Sequence, residues 1–373
     1  MNGKNFNSPL NKPVILVTPL DWGLGHATRC IPVIIKLLEY NCNVIIAAEG
    51  RCRVLLEMEF PGLTFLDLRG YRVQYSRTGG GLPLKMLSQL PKIIFRIYSE
   101  HAWLKKMIKK HAVDAVISDN RLGMYNKNIA SIYITHQLQI KTGSQYTDRV
   151  AQKIHYWFIN KFNECWVPDT GKEINLAGEL SHPSKLPKIP VKYLGPLSRF
   201  KALPAGIQYD LLFILSGPEP QRTIFEDKIL VALKEYKGRA LLVRGLPDNV
   251  TIKRAGIPSL LEINDHLRSE ELNTAILQSD LVITRSGYTA IMDLIKLKKR
   301  AVLVPTPGQT EQEYLAKYLM SNHFFYSAEQ ADFNLPDIIA AVNTFPFRNP
   351  VISLDDYEKN IDSFLKGIRS VQQ

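Results

Sequence analysis

Short uninterrupted apolar runs alternate along the chain with longer segments whose apolar residues recur every three or four positions. Val14 to Thr18 (VILVT) is a strand-length run of the kind found where helices cover both faces of a sheet. A glycine-rich turn follows, Asp21 to Gly25, and then a segment from Ala27 to Tyr40 with Ile31, Ile34, Ile35 and Leu38 at helical spacing. Further strands are predicted at Val44 to Ala48, Thr64 to Leu68, Ala115 to Ser118, Ile132 to Thr135 and Cys165 to Val167, with a helix near Cys52 to Met58. The alternation then repeats. Leu211 to Leu215, Ala240 to Val243, Leu281 to Thr284 and Ala301 to Val304 read as strands, separated by helices near Glu226 to Tyr236, Glu270 to Gln278, Thr289 to Lys296 and Glu311 to Met320.

This is the pattern of parallel sheets built from βαβ units, and it predicts an α/β chain of two Rossmann-like domains facing each other across a cleft. Between the halves, Ser181 to Pro204 is rich in Pro, Lys and Ser and reads as an extended, exposed connector. The expected division is 1–200, 201–350 and a C-terminal helix over 351–373 that packs back on the first domain.

Composition supports two cores: 373 residues, 45% of them hydrophobic, exceed what one ordinary core needs. With 22% charged and 9% aromatic residues, the chain is neither disordered nor fibrous. No run approaches about 18 apolar residues, and the polar start has no secretory h-region. Cys30, Cys42, Cys52 and Cys165 show no CxxC spacing and read as reduced, buried thiols of a cytosolic protein. The net charge is +12, and half of that excess lies between Leu82 and His111, where seven lysines and arginines face Glu100 alone. Such a basic face steers anionic substrates, nucleic acid or acidic lipid, and no nucleic-acid module accompanies it. Its interleaved Leu, Ile, Phe and Trp fit either an amphipathic helix covering a core or one lying on an anionic membrane.

Candidate chemistry sits at the strand ends. In Asp21-Trp22-Gly23-Leu24-Gly25-His26, Gly23 and Gly25 permit a tight turn and close backbone approach to a ligand, although a tight βα turn alone needs them too. Glu49, ending the second strand, stands where a ribose-binding acid of a dinucleotide site would. His26, beside a helix N-terminus, is either a general base or a capping surface histidine. In the second half, Thr284-Arg285-Ser286-Gly287 runs from strand to helix as a phosphate-binding turn would, and Thr289 and Asp293 follow on that helix. Asp293 could accept from a ribose hydroxyl pair, and Gln312 could bind sugar hydroxyls. Ser216-Gly217 is another strand-to-glycine turn. Ser286 and Thr310 alone would serve as helix caps.

Taken together, WGLGHATR, SDNRLG (Ser118 to Gly123), THQ (Thr135 to Gln137), SGPEPQ, DLVITRSG and PTPGQTEQ resemble nucleotide-sugar glycosyltransferases of the GT-B type. The nearest such group is the peptidoglycan lipid-intermediate N-acetylglucosaminyltransferases. The resemblance implies a donor, UDP-linked, held mainly by the second domain and an acceptor held by the first. It places Arg285, Ser286, Gly287, Ser216 and Gly217 at the donor phosphates, Asp293 at the ribose, Gln309 and Gln312 at the sugar, and His266 to Ser269 near the base. It further implies inverting displacement without a protein-held metal, His26 as base with Asp119 the second candidate, and a glycan or lipid-linked acceptor at the inner membrane face. An epimerase on the same fold, an NAD-binding protein using Gly23, Gly25 and Glu49, and a non-catalytic sugar-nucleotide sensor are the competing readings.

Overall fold

The computed structural model describes residues 12–71, 82–141, 145–246, 259–354 and 356–372. The first half contributes β1 (Val14–Pro19), β2 (Asn43–Ala48), β3 (Thr64–Asp67), β4 (Ala115–Asp119), β5 (Ala130–Ile134), β6 (Glu164–Val167) and β7 (Val191–Tyr193). They form one parallel sheet in the order β3-β2-β1-β4-β5-β6-β7. The second half contributes β8 (Tyr209–Ile214), β9 (Ala240–Val243), β10 (Leu261–Asn264), β11 (Ser279–Thr284), β12 (Ala301–Leu303) and β13 (Tyr326–Ser327). Their order is β10-β9-β8-β11-β12-β13, again all parallel. Both are doubly wound Rossmann-like sheets in which the order reverses once, between β1 and β4 in the first and between β8 and β11 in the second. Ligands of such sheets lie outside the carboxyl ends of the strands at that reversal.

The helices are α1 (Leu24–Glu39), α2 (Gly50–Glu59), α3 (Leu82–His111), α4 (Gln145–Ile159), α5 (Gln221–Leu233), α6 (Ser269–Leu277), α7 (Tyr288–Lys296), α8 (Thr310–Ser321), α9 (Leu335–Thr344) and α10 (Asp356–Gln372). α1 begins at Leu24, three residues earlier than its apolar spacing suggests, because Gly23 at φ 142° turns the chain sharply before it. The basic segment is one 30-residue helix, α3, running through Pro91.

The connector departs from its expected exposure. It contains β7, and Leu194, Leu197 and Phe200 are buried in the core shared by both halves. Proline and lysine in its composition masked this apolar spacing. The chain finally returns to the first half through α10. Ile361, Phe364, Leu365 and Ile368 are buried there, Phe364 meets Trp166 edge-on at 5.4 Å, and Arg369 donates to the Tyr40 carbonyl. All four cysteines are buried free thiols. Among the described residues no helix is long and apolar enough to cross a membrane.

Candidate functional site

The reversal point of the first sheet is built by β1, β4 and the opening of α1. Register pairs Pro19 with Asp119, so the turn after β1 and the end of β4 lie side by side. α1 starts directly from that turn and projects His26 and Arg29, three residues apart on one helical face, toward Asp119. His26 Nδ1 lies 3.3 Å from Asp119 Oδ2, with the imidazole side chain 17% exposed. Arg29 forks onto the carboxylate, Nε to Oδ2 at 2.7 Å and Nη2 to Oδ1.

Asp119 is fully buried behind His26, so it does not face an acceptor as a base would; it holds the two cations or donors beside it. Burial raises its carboxyl, but Arg29 and His26 more than reverse this and leave it below the usual carboxylate range. For His26, burial and then the Arg29 charge hold the imidazole below its ordinary value, against the opposing pull of Asp119.

Arg29 also reaches His136 Nδ1 at 3.1 Å, and His136 Nε2 meets Glu311 Oε1 of α8 at 2.7 Å. The His136 ring stacks on Tyr288 at 4.2 Å with an 8° interplanar angle. A polar chain thus crosses the cleft: Asp119, His26, Arg29, His136, Glu311. Sequence reasoning quoted these residues inside motifs but gave Arg29 and Glu311 no role. The signal for Arg29 was its spacing of three from His26 in the first turn of α1.

At the second reversal point, β8 leads to Ser216 and Gly217, both exposed, with Gly217 at φ 104°. β11 leads through Arg285, Ser286 and Gly287 into α7, whose first amides lack intrahelical partners. Arg285 is placed differently from its expected role at the diphosphate. It is 1% exposed, it donates to the carbonyls of Val304, Pro305 and Gln221, and its guanidinium lies 4.4 Å from the Phe225 ring centre. Burial pushes its guanidinium down to about 10. Its donors fix the β12–α8 loop.

Ser286, also buried, donates to the Gln312 carbonyl at 2.8 Å. Gln312 accepts from the Thr306 amide and donates to Gln309 Oε1 at 2.6 Å, so the two glutamines are aligned as a pair at the start of α8.

Two further expected donor ligands instead bridge the domains. Thr289 donates to the Gly25 carbonyl at 2.9 Å, and a Cβ on Gly25 would stand 3.0 Å from Thr289 Oγ1. Gly25 is thus glycine because α7 passes over it, and that was invisible from its turn sequence. Asp293 accepts from Ser198 of the connector at 2.6 Å through Oδ1 and is 8% exposed, so little of its carboxyl is open to a ribose in this structure. Burial, only partly offset by Arg199 and Ser198, pushes Asp293 up to about 6. Ser269 hydroxyl and amide reach Glu59 of α2, tying the expected base-binding segment to the first domain. Glu49 accepts from the Gly70 amide at 2.7 Å. Gly23 is exposed at the turn.

Beside the first reversal point, α3 and α4 adjoin through Ile97 and Phe158, which share a buried cluster with Leu20 and Tyr71. Outward from it stand Ile94, Phe95 and Tyr98 of α3 and Val150, Ile154 and Trp157 of α4, all exposed. Lys92, Arg149 and Lys153 are exposed on the same two helices, and Lys161 Nζ lies 3.5 Å from the Trp157 ring centre.

Residues 268–352 match the family model described as the glycosyltransferase family 28 C-terminal domain. No curated protein matches the chain in sequence. Among solved structures, the chain is similar to the glycotransferase of kitacinnamycin, at 15% identity and a TM-score of 0.60, covering 96% of this chain and 94% of that one. It is similar to Arabidopsis thaliana UGT89C1, solved with UDP-L-rhamnose, at 12% identity and a TM-score of 0.61, covering 96% and 95%. It is also similar to Acinetobacter baumannii MurG, at 14% identity and a TM-score of 0.51, covering 96% and 95%.

Proposed function

We propose that the chain, whose residues 268–352 match a glycosyltransferase family 28 C-terminal domain and whose two-domain fold is that of GT-B glycosyltransferases, moves a sugar from a nucleoside diphosphate donor, UDP-linked, to an acceptor hydroxyl with inversion. The observation that carries the reading is the juxtaposition of the two reversal points. His26 and Asp119 end one, Ser216-Gly217 and Ser286-Gly287 end the other, and the Thr289–Gly25 hydrogen bond at 2.9 Å joins them.

In the proposed reaction the acceptor hydroxyl gives its proton to His26 Nε2 while its oxygen attacks the anomeric carbon. The bond from that carbon to the diphosphate oxygen breaks, and the nucleoside diphosphate leaves with the electron pair. Asp119 stabilises the imidazolium through Nδ1. Ser216, the amides around Gly217 and Gly287, and the N-terminal dipole of α7 meet the charge on the leaving group. His26→Ala should lower transfer by about 10²- to 10⁴-fold with donor affinity unchanged, as read by single-turnover rate and calorimetry. A variant that turns over like the parent would remove His26 from this role.

The NAD reading is not favoured, because residues 268–352 match a glycosyltransferase domain and the Glu49 carboxylate it would use already accepts from the Gly70 amide. A lipid-linked acceptor at an anionic membrane fits the exposed apolar side chains of α3 and α4 with their flanking basic residues. Phe95→Ser with Trp157→Ser should weaken cosedimentation with anionic liposomes while thermal stability is retained. Binding that ignores both the substitutions and the anionic lipid content would discard the membrane role.

A further inference from the structure

Arg29 ties the proposed base to the opposite domain. Its Nη2 meets His26 Nδ1 at 2.7 Å, its Nη1 meets His136 Nδ1 at 3.1 Å, and the fork to Asp119 anchors the group. A guanidinium donates and does not accept. Both Nδ1 atoms it faces are therefore acceptors, and in each neutral ring the single proton lies on Nε2. For His136 this is the proton that reaches Glu311. For His26 it is the tautomer that cannot act: transfer needs a lone pair on Nε2 and a proton on Nδ1 directed at Asp119 Oδ2, 3.3 Å away.

We propose that Arg29 and His136 are positioning residues that couple the tautomer of His26 to the seating of Glu311 from the donor domain. The inference rests on the transfer reading above. The charged and titratable groups facing His26 are Arg29 from α1, Asp119 from β4, His136 beyond β5 and Glu311 from α8. While Glu311 accepts from His136 Nε2–H, the His136 Nδ1 lone pair is fixed toward Arg29. When Glu311 is withdrawn, His136 can carry its proton on Nδ1 instead, and two donors then oppose each other. Arg29 stays forked on Asp119 but tilts away from the opposing His136 proton, and its Nη2 contact with His26 Nδ1 opens. The His26 ring then gives a proton to water from Nε2 and takes one at Nδ1, with no net change in charge. The first sheet alone therefore holds the base, and the second domain decides whether it is ready.

The test is ¹⁵N NMR of the full chain labelled at histidine, which distinguishes protonated from lone-pair ring nitrogens; His26→Gln identifies the His26 signals. The wild type at neutral pH should show His26 protonated on Nε2. Glu311→Ala, at a partly exposed position on α8, should shift the tautomer ratio toward Nδ1–H by about fivefold or more, the lower end of ordinary coupling between sites, with the unfolding midpoint read on the same sample. Arg29→Lys keeps a cation beside Asp119 but replaces the three separated nitrogens of the planar fork by one, which cannot sit against Asp119, His26 and His136 together, and it should move His26 in the same direction. A His26 proton already on Nδ1 in the wild type, or a Glu311→Ala spectrum coincident with it, overturns the coupling. The spectra need no substrate. Failure of any nucleoside diphosphate to raise the melting temperature of the same samples would instead remove the transfer reading and leave the tautomer result standing.

Discussion

His26 works at a potential set by its burial and by two neighbours of opposite sign. Burial and the Arg29 charge lower its titration point, and Asp119 raises it, with the first two prevailing. A base must be neutral to accept, so the transfer rate should hold as pH falls to the ordinary histidine value of 6.5 and decline only below it. The kcat profile between about pH 5 and 8 checks this; an acid limb centred above 6.5 would contradict it. The residue scale is also where the sequence was partly legible. His26 was conspicuous because a turn and a helix N-terminus framed it. Asp119 was visible as a strand-end acid, yet its depth behind His26 depends on the β1–β4 register, which no local pattern specifies. Arg285 illustrates the reverse case. Its motif announces a phosphate ligand, whereas its surroundings make it a buried clamp on three carbonyls. Arg285→Met should therefore destabilise the fold by about 1–3 kcal/mol for each carbonyl left without its partner, measured as a lowered urea midpoint.

Among the elements, α1 and α7 carry the interdomain geometry. Their N-terminal turns meet where Thr289 passes over Gly25. A methyl group at Gly25 would press on Thr289 Oγ1 at 3.0 Å, so Gly25→Ala should slow transfer, and adding Thr289→Ala should recover part of the loss by removing that oxygen. If the double variant is slower than the product of the two single effects, the close approach is not what limits Gly25. Most strands and helices followed from the apolar pattern, because buried parallel strands are uninterrupted apolar runs. β7, β10 and β13 were missed. Lys192, Glu262 with Asn264, and Ser327 interrupt them, so none reads as an uninterrupted apolar run. α10 packs on the first half because four apolar side chains at helical spacing fill the space against α1 and β6. Phe364→Ala should cost about 3–5 kcal/mol, read by denaturant unfolding.

For the whole molecule, the connector does more than join two sheets. Ser198 holds Asp293, Arg199 lies 4.0 Å from Glu59, and Glu59 accepts from Ser269, so one strap touches both domains at the base of the cleft. Asp293 binds its proton more tightly when folded, about 6 against 3.8, so the folded chain carries the extra proton across that window. Stability should fall as pH rises from about 4 to 6. Asp293→Asn should flatten that slope and recover up to a few kcal/mol at neutral pH, at about 1.4 kcal/mol per unit. A slope that survives in Asp293→Asn assigns it elsewhere.

The central claim is that the two reversal points form one reaction site, with the leaving diphosphate at the start of α7 and the proton acceptor at the start of α1. A crystal structure with whichever nucleoside diphosphate most raises the melting temperature tests it most directly. The expected result is a diphosphate against Ser216, Gly217 and the first amides of α7, on the side of the cleft that His26 faces. A diphosphate held away from the gap, or on the far face of either sheet, would contradict it.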